Sequence, residues 1–157
     1  MEDSKVYEIL LVEDNPAESE LIKIAWQSCK EVKSNVTVIT DSRSVTAYLH
    51  GEMEYEGRPT PRPDLILLDY VMPVDGGIAL TEIKGDPDFR CIPVVALTAS
   101  RNPRDHQQIY ERYANCCVLK PNDLQGYLDL ICYLADFWLK RVVPPPPNSR
   151  TLTSGVF

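Results

Sequence analysis

Apolar residues follow two spacings along this chain, and the two alternate. Short continuous runs at residues 7–12, 36–40, 65–68, 92–98 and 116–119 each stop at a polar or turn residue. Unbroken apolar runs of that length read as strands covered on both faces. Between them apolar residues recur every three or four positions. Leu21, Ile22, Ala25, Trp26 and Cys29 follow the first run, and Val45, Ala47, Tyr48 and Leu49 follow the second. Ile78, Leu80 and Ile83 follow the third, and Ile109, Tyr110 and Tyr113 the fourth. That spacing predicts helices. Asn15-Pro16 and Asn102-Pro103 pair a capping residue with a proline suited to the first helical position, and Glu18 suits a first turn. The first helix is predicted to run to about Lys30 and the second over 42–50. The third stops near Gly85, and the last starts from a cap at Asn122 or Asp123 and reaches about Lys140. Gly57, Pro59, Pro61 and Pro63 make residues 51–63 a loop, and residues 72–77, with Gly76 and Gly77, a tight turn.

Five strands alternating with five helices predict a doubly wound parallel sheet, because parallel neighbours need right-handed crossover connections. The expected architecture is a flavodoxin-like three-layer α/β sandwich with strand order 2-1-3-4-5. Residues 1–6 form an N-terminal tail and 7–140 the domain. Residues 141–157 form a proline-rich C-terminal arm in which Pro144 to Pro147 impose polyproline II.

Composition narrows the class only a little. With 157 residues, 44% hydrophobic and 25% charged, the chain reads as one globular domain. A net charge of −7 gives no footprint for nucleic acid or an anionic membrane. No apolar run approaches the roughly 20 residues that cross a bilayer, and the acidic start Met1, Glu2, Asp3 is unlike a signal peptide, so a cytoplasmic protein is expected. The five cysteines, Cys29, Cys91, Cys116, Cys117 and Cys132, show no C-x-x-C spacing and lie in apolar stretches, which predicts buried, reduced thiols. His50 and His106 have no ligand cluster around them. Glu52, Glu54 and Glu56 mark a solvated loop.

The chemistry collects at strand ends. Asp69 stands where the central run stops, Glu13 and Asp14 follow the first strand, Thr98 ends the fourth and Lys120 follows the fifth. In the order 2-1-3-4-5 the first and third strands are neighbours at the switch point, and all of these groups open into one crevice. Asp14 and Asp69 with a backbone carbonyl form a hard oxygen site that suits Mg²⁺, with Glu13 reaching the ion through water. A carboxylate there can attack phosphorus while a hydroxyl, Thr98, and an ammonium, Lys120, hold the equatorial oxygens.

In Leu11-Val12-Glu13-Asp14-Asn15, in Asp69 to Pro73, in Leu97-Thr98-Ala99-Ser100 and in Lys120-Pro121 the sequence resembles the receiver domain of two-component response regulators. The resemblance covers about residues 6–140. It is closest to the stand-alone regulators of bacterial and cyanobacterial phytochromes, through residues 65–69, 82–88 and 92–95 and through Phe137-Trp138-Leu139 ahead of the prolines. The resemblance implies that Asp69 accepts a phosphoryl group from the phosphohistidine of a sensor histidine kinase of phytochrome type. It implies that Glu13, Asp14 and the carbonyl of Val71 hold Mg²⁺ with it. With no DNA-binding or enzymatic domain expected after residue 140, output passes to an unknown partner, onward in a phosphorelay, or through self-assembly. Two positions depart from the family pattern. Cys117 replaces the aromatic switch residue three positions before Lys120, and Gly76 replaces an aspartate before the turn glycine.

An aspartyl-phosphate hydrolase is the rival class, but the second aspartate it needs would fall on Val71. Neither G-x-G-x-x-G nor G-x-x-x-x-G-K-[ST] occurs, which disfavours a nucleotide-binding enzyme. On the last helix Leu124, Tyr127, Leu128, Ile131, Leu134, Ala135 and Trp138 form a stripe expected to cover the sheet. Leu130, Tyr133 and Phe137 lie opposite and are expected to face water as a homodimer surface.

Overall fold

The computed structural model describes residues 5–70 and 76–146. The chain runs β1 (Val6–Val12), α1 (Pro16–Ser28), β2 (Lys33–Ile39), α2 (Val45–His50), β3 (Leu65–Asp69), α3 (Gly76–Gly85), β4 (Val94–Thr98), α4 (Pro103–Glu111), β5 (Cys116–Leu119) and α5 (Leu124–Leu134). A π-helical segment, Ala135–Arg141, prolongs α5. All strand pairs are parallel, and the sheet order is β2-β1-β3-β4-β5, as the alternation of elements predicts.

Strand pleating divides the core in two. Leu10 and Val12 of β1, with Ile66 and Leu68 of β3, pack under Val45, Leu80, Ile83 and Ile109 on one face. Ile9 and Leu11, with Leu65 and Leu67, meet Ile22, Ala25, Trp26 and Ile131 on the other. Adjacent residues of a strand point to opposite faces, so a central strand covered on both sides must be apolar throughout. All five residues of β3 and of β4 are buried.

Several boundaries differ from the sequence expectation for physical reasons. Edge strand β2 begins at Lys33, not residue 36, because pairing with β1 continues through Lys33, Ser34 and Asn35, whose polar side chains an edge strand tolerates. It ends at Ile39. β4 begins at Val94, after Pro93, which lacks the N–H that a ladder needs. α1 stops at Ser28 rather than Lys30, since Cys29 is already extended. Helix two opens as a 3₁₀ turn, Ser42–Ser44, capped by the Asp41 carboxylate, and Gly51, with φ 65°, closes it in the left-handed region. The loop 51–63 contains a further 3₁₀ turn, Met53–Tyr55, where Tyr55 packs edge-on against Tyr48. Ile78, Tyr110 and Tyr113, which share the apolar helical spacing, are exposed; the buried stripe on α4 reduces to Ile109.

The last helix departs most. Its cap is Asp123, whose carboxylate accepts from the Gly126 N–H. Beyond Leu134 the backbone widens, with the Val142 N–H donating to the Phe137 carbonyl five residues back. A wider turn advances the buried stripe by one residue, so Leu139 is buried while Trp138 is only half-buried. Leu124 is exposed rather than core. Leu130 does not face water as expected; it packs, half-buried, against the α1 side of the core, because α5 lies in contact with α1 as well as the sheet. The cysteines are all free, but the expectation of burial holds fully only for Cys29. Cys91 and Cys132 are exposed, since they fall on a surface loop and on the outer face of α5.

Candidate functional site

The carboxyl ends of β1, β3, β4 and β5 meet at one crevice. β3 and its pairing with both β1 and β4 carry Asp69 to the sheet's end and leave it 3% exposed. Beside it the chain leaves β1 through Glu13, whose N–H donates to the Ile39 carbonyl and whose Oε1 accepts from the Asn15 N–H at 3.1 Å. Asn15 then caps α1, its Oδ1 accepting from the N–H groups of Ala17 and Glu18. These local bonds fix the entry angle of α1 and turn both acids toward Asp69. Carboxylate oxygens of Glu13, Asp14 and Asp69 lie within 4.8 Å of one another. Three hard oxygen donors converging at that spacing fit a divalent cation of the Mg²⁺ or Mn²⁺ kind. Val71, whose carbonyl the family resemblance adds to the ligand set, lies outside the described residues.

Lys120 enters from the end of β5, held where its N–H donates to the Thr98 carbonyl at 2.8 Å. Its ammonium is 3.0 Å from Asp69 Oδ1, 3.5 Å from Glu13 Oε2 and 2.7 Å from Glu18 Oε2. Burial alone would push this lysine down. The hydrogen bond to Glu18 and the charges of Asp69 and Glu13 outweigh it and hold the ammonium above its ordinary range. The opposite balance acts on Glu13. Burial first, then the charge of Asp69, pushes its carboxyl up to about 8, against the lowering effects of Lys120 and the Asn15 N–H.

Thr98 is fully buried, and its Oγ1 accepts from the Ser100 N–H at 3.1 Å. Cys117 is half-buried, and its N–H donates to the Tyr110 hydroxyl, so an aromatic ring from α4 stands beside the position where the family places its own. The departure at Gly76 also has a cause. A Cβ there would lie 2.5 Å from the Asp69 carbonyl oxygen and 2.9 Å from that of Tyr70, so the start of α3 reaches the end of β3 only without a side chain.

Glu13, Asp14, Asp69, Thr98 and Lys120, which the sequence predicts to share one crevice, are thus gathered at this end. Glu18 was legible only as a first-turn acid, although it makes the shortest contact to Lys120. A glutamate three residues after a capping asparagine satisfies the helix terminus by itself, which hides any second use. Of the anticipated dimer surface only Tyr133 and Phe137 are exposed.

This crevice, on this sheet, defines a class. The chain belongs to the response regulator receiver domain family, whose model matches residues 9–131. It is 38% identical over 138 residues to the response regulator Rcp1 of Synechocystis sp., covering 87% of this chain and 92% of the relative. Its fold matches the crystal structure of the phosphorylated cyanobacterial phytochrome response regulator RcpA at a TM-score of 0.82 and 37% identity, over 90% of this chain and all of that one. The Mn²⁺-bound form of Rcp1 matches at 0.79 and 37%, over 89% and 99%. The chain is therefore a receiver-domain signalling protein homologous to phytochrome response regulators, not a classical enzyme, and a receiver domain implies a histidine kinase as partner. Receiver domains bind Mg²⁺ or Mn²⁺ at such an acidic cluster. Among the described residues no helix is long and apolar enough to cross a membrane.

Proposed function

We propose that Asp69 is the phosphoacceptor, that the donor is a phosphohistidine of a phytochrome-type sensor kinase, and that Glu13, Asp14 and Asp69 hold the Mg²⁺ the transfer needs. The observation that carries this reading is Asp69 Oδ1 at a strand end, 3.0 Å from an ammonium and inside the three-acid cluster. One Asp69 oxygen forms a bond to phosphorus as the phosphorus–nitrogen bond breaks. The electron pair stays on the imidazole, which takes a proton. Lys120 moves its hydrogen bond from Asp69 to a phosphoryl oxygen, and the Thr98 hydroxyl turns toward the same group. A bound divalent cation supplies charge neutralisation for the crowded acids and the incoming oxygens. Return of the phosphoryl group to water at the same site makes the protein catalyse its own dephosphorylation.

The same reading puts kinase and regulator in the cytoplasm. It divides the chain into a receiver unit over 7–140 and an arm over 141–157. Exposed Tyr133 and Phe137, the latter edge-on against Trp138 at 5.2 Å, support a homodimer contact on the last helix, and Val143, also exposed, follows at the start of the arm. Output then passes through that dimer or a downstream protein. Label transfer from a purified, phosphorylated phytochrome-type kinase tests the donor. Rapid Mg²⁺-dependent transfer supports it, and no transfer while acetyl phosphate still labels the protein would assign the regulator to another kinase. Sedimentation of the Tyr133→Ser, Phe137→Ser variant tests the contact, since an unchanged dimer would place it elsewhere.

A further inference from the structure

Lys120 spreads its ammonium over three carboxylates, and the one it lies nearest has no part in the chemistry described so far. Glu18 Oε2 is 2.7 Å from Nζ, against 3.0 Å for Asp69 and 3.5 Å for Glu13. Glu18 is not in the three-acid cluster and is not the acceptor. Its place is fixed, because its N–H is bonded to the Asn15 cap at the start of α1. The contact is also sheltered, with the Lys120 side chain 12% exposed and that of Glu18 32%. An ammonium has three protons, and three acceptors already engage them.

We infer that Glu18 is a positioning residue that holds Lys120 back from the incoming phosphoryl group and so slows phosphorylation of Asp69. The inference rests on Asp69 being the acceptor. When phosphorus reaches Asp69, Glu13 and Asp14 remain committed to the cation, and Lys120 must exchange Asp69 for phosphoryl oxygen. Glu18 alone competes for the ammonium without contributing to the transfer. Its charge also stands no more than two hydrogen-bond lengths from Asp69 Oδ1, where it cancels part of the attraction that Lys120 exerts on an anionic donor. In a crevice shielded from water that cancellation is large enough to govern a rate.

Glu18→Gln keeps the size of the side chain and an oxygen for Lys120 but removes the charge. The rate of phosphorylation is to be measured with acetyl phosphate, a dianion near neutral pH, and with phosphoramidate, a monoanion there, at saturating Mg²⁺. The variant should react about three- to tenfold faster with acetyl phosphate. The gain with phosphoramidate should be clearly smaller, and Glu18→Asp, which keeps the charge, should stay near the wild-type rate. A role confined to capping α1 predicts a lower melting temperature and no dependence on donor charge. Rates unchanged or slowed by Glu18→Gln, or raised equally with both donors, would overturn the inference. Asp69→Asn in the same series separates the two levels: labelling that persists there removes the acceptor assignment, and the inference with it, whereas labelling lost there leaves the Glu18 result to be judged alone.

Discussion

Lys84 and Lys120 are both partly buried, at opposite ends of the same sheet, and they do different things. Lys84, in the last turn of α3, donates to the carbonyls of Arg90 and Ile92 and to Asn115 Oδ1, at 2.8–2.9 Å. Asn115 Oδ1 in turn accepts from the Val94 N–H, so one ammonium ties α3, the entry to β4 and the approach to β5. Among the described residues its hydrogen-bond acceptors are uncharged, and burial pushes its pKa down to about 8, with the nearby Cys91 only partly opposing. Lys120 has carboxylates instead, and its charged form is favoured despite burial. Neutral acceptors make a lysine a staple. Anionic acceptors that can be exchanged for a phosphoryl group make it part of a reaction.

The sharpest way to break this contrast is to remove each ammonium. Lys120→Met should slow phosphorylation by acetyl phosphate on the order of a hundredfold, by taking away the ammonium that lies 3.0 Å from Asp69 Oδ1. Stopped-flow or quenched labelling measures it. Lys84→Met should leave that rate within about twofold while lowering stability by about 1–3 kcal/mol, read from denaturant unfolding, because it removes three hydrogen bonds and strands the part-buried Ile92 carbonyl. Its pH dependence fixes the mechanism. The Lys84 pKa in the folded protein lies below its unfolded value, so the unfolded chain binds more protons between pH 8 and about 10.5, and stability rises with pH across that window. The stability gap between wild type and Lys84→Met should therefore widen from pH 8 upward. A gap that stays flat would mean Lys84 is not held in a charge-disfavouring site.

Two smaller effects sharpen the account of the crevice. Gly76→Ala should cost about 1–3 kcal/mol by pressing a methyl group on the Asp69 and Tyr70 carbonyls, and it should slow phosphorylation as Asp69 shifts. Cys117→Ala should alter stability by less than about 1 kcal/mol and leave phosphorylation-dependent self-association intact, since the thiol lacks the bulk of an aromatic switch and the Tyr110 hydroxyl meets its backbone, not its sulfur. Loss of that response in sedimentation would show that the thiol takes part.

What could be read from the sequence follows from how local its cause is. β3 and Asp69 were legible because an unbroken apolar run bounded by turn residues has one good solution in a two-sided sheet. The caps at Asn15 and Asn102 were legible because they act within three residues. The Glu18 to Lys120 bond joins residues 102 positions apart, and no pattern of spacing announces it. The π-helical segment after Leu134 was hidden for another reason. A projection drawn at a constant helical angle places Leu139 outside and Trp138 inside, and only the widened backbone reverses them. Leu130 was misplaced because the projection assumed one packing partner for α5, whereas α1 supplies a second.

The central claim is that Asp69, between the acids and Lys120, takes up the phosphoryl group. Wild type and Asp69→Asn should be incubated with acetyl phosphate and Mg²⁺, with and without a chelator, and the intact masses compared. The account predicts one added phosphoryl group on the wild type, lost when Mg²⁺ is chelated, and none on Asp69→Asn. A phosphoryl group of equal yield on Asp69→Asn, or on the wild type with Mg²⁺ removed, would contradict it.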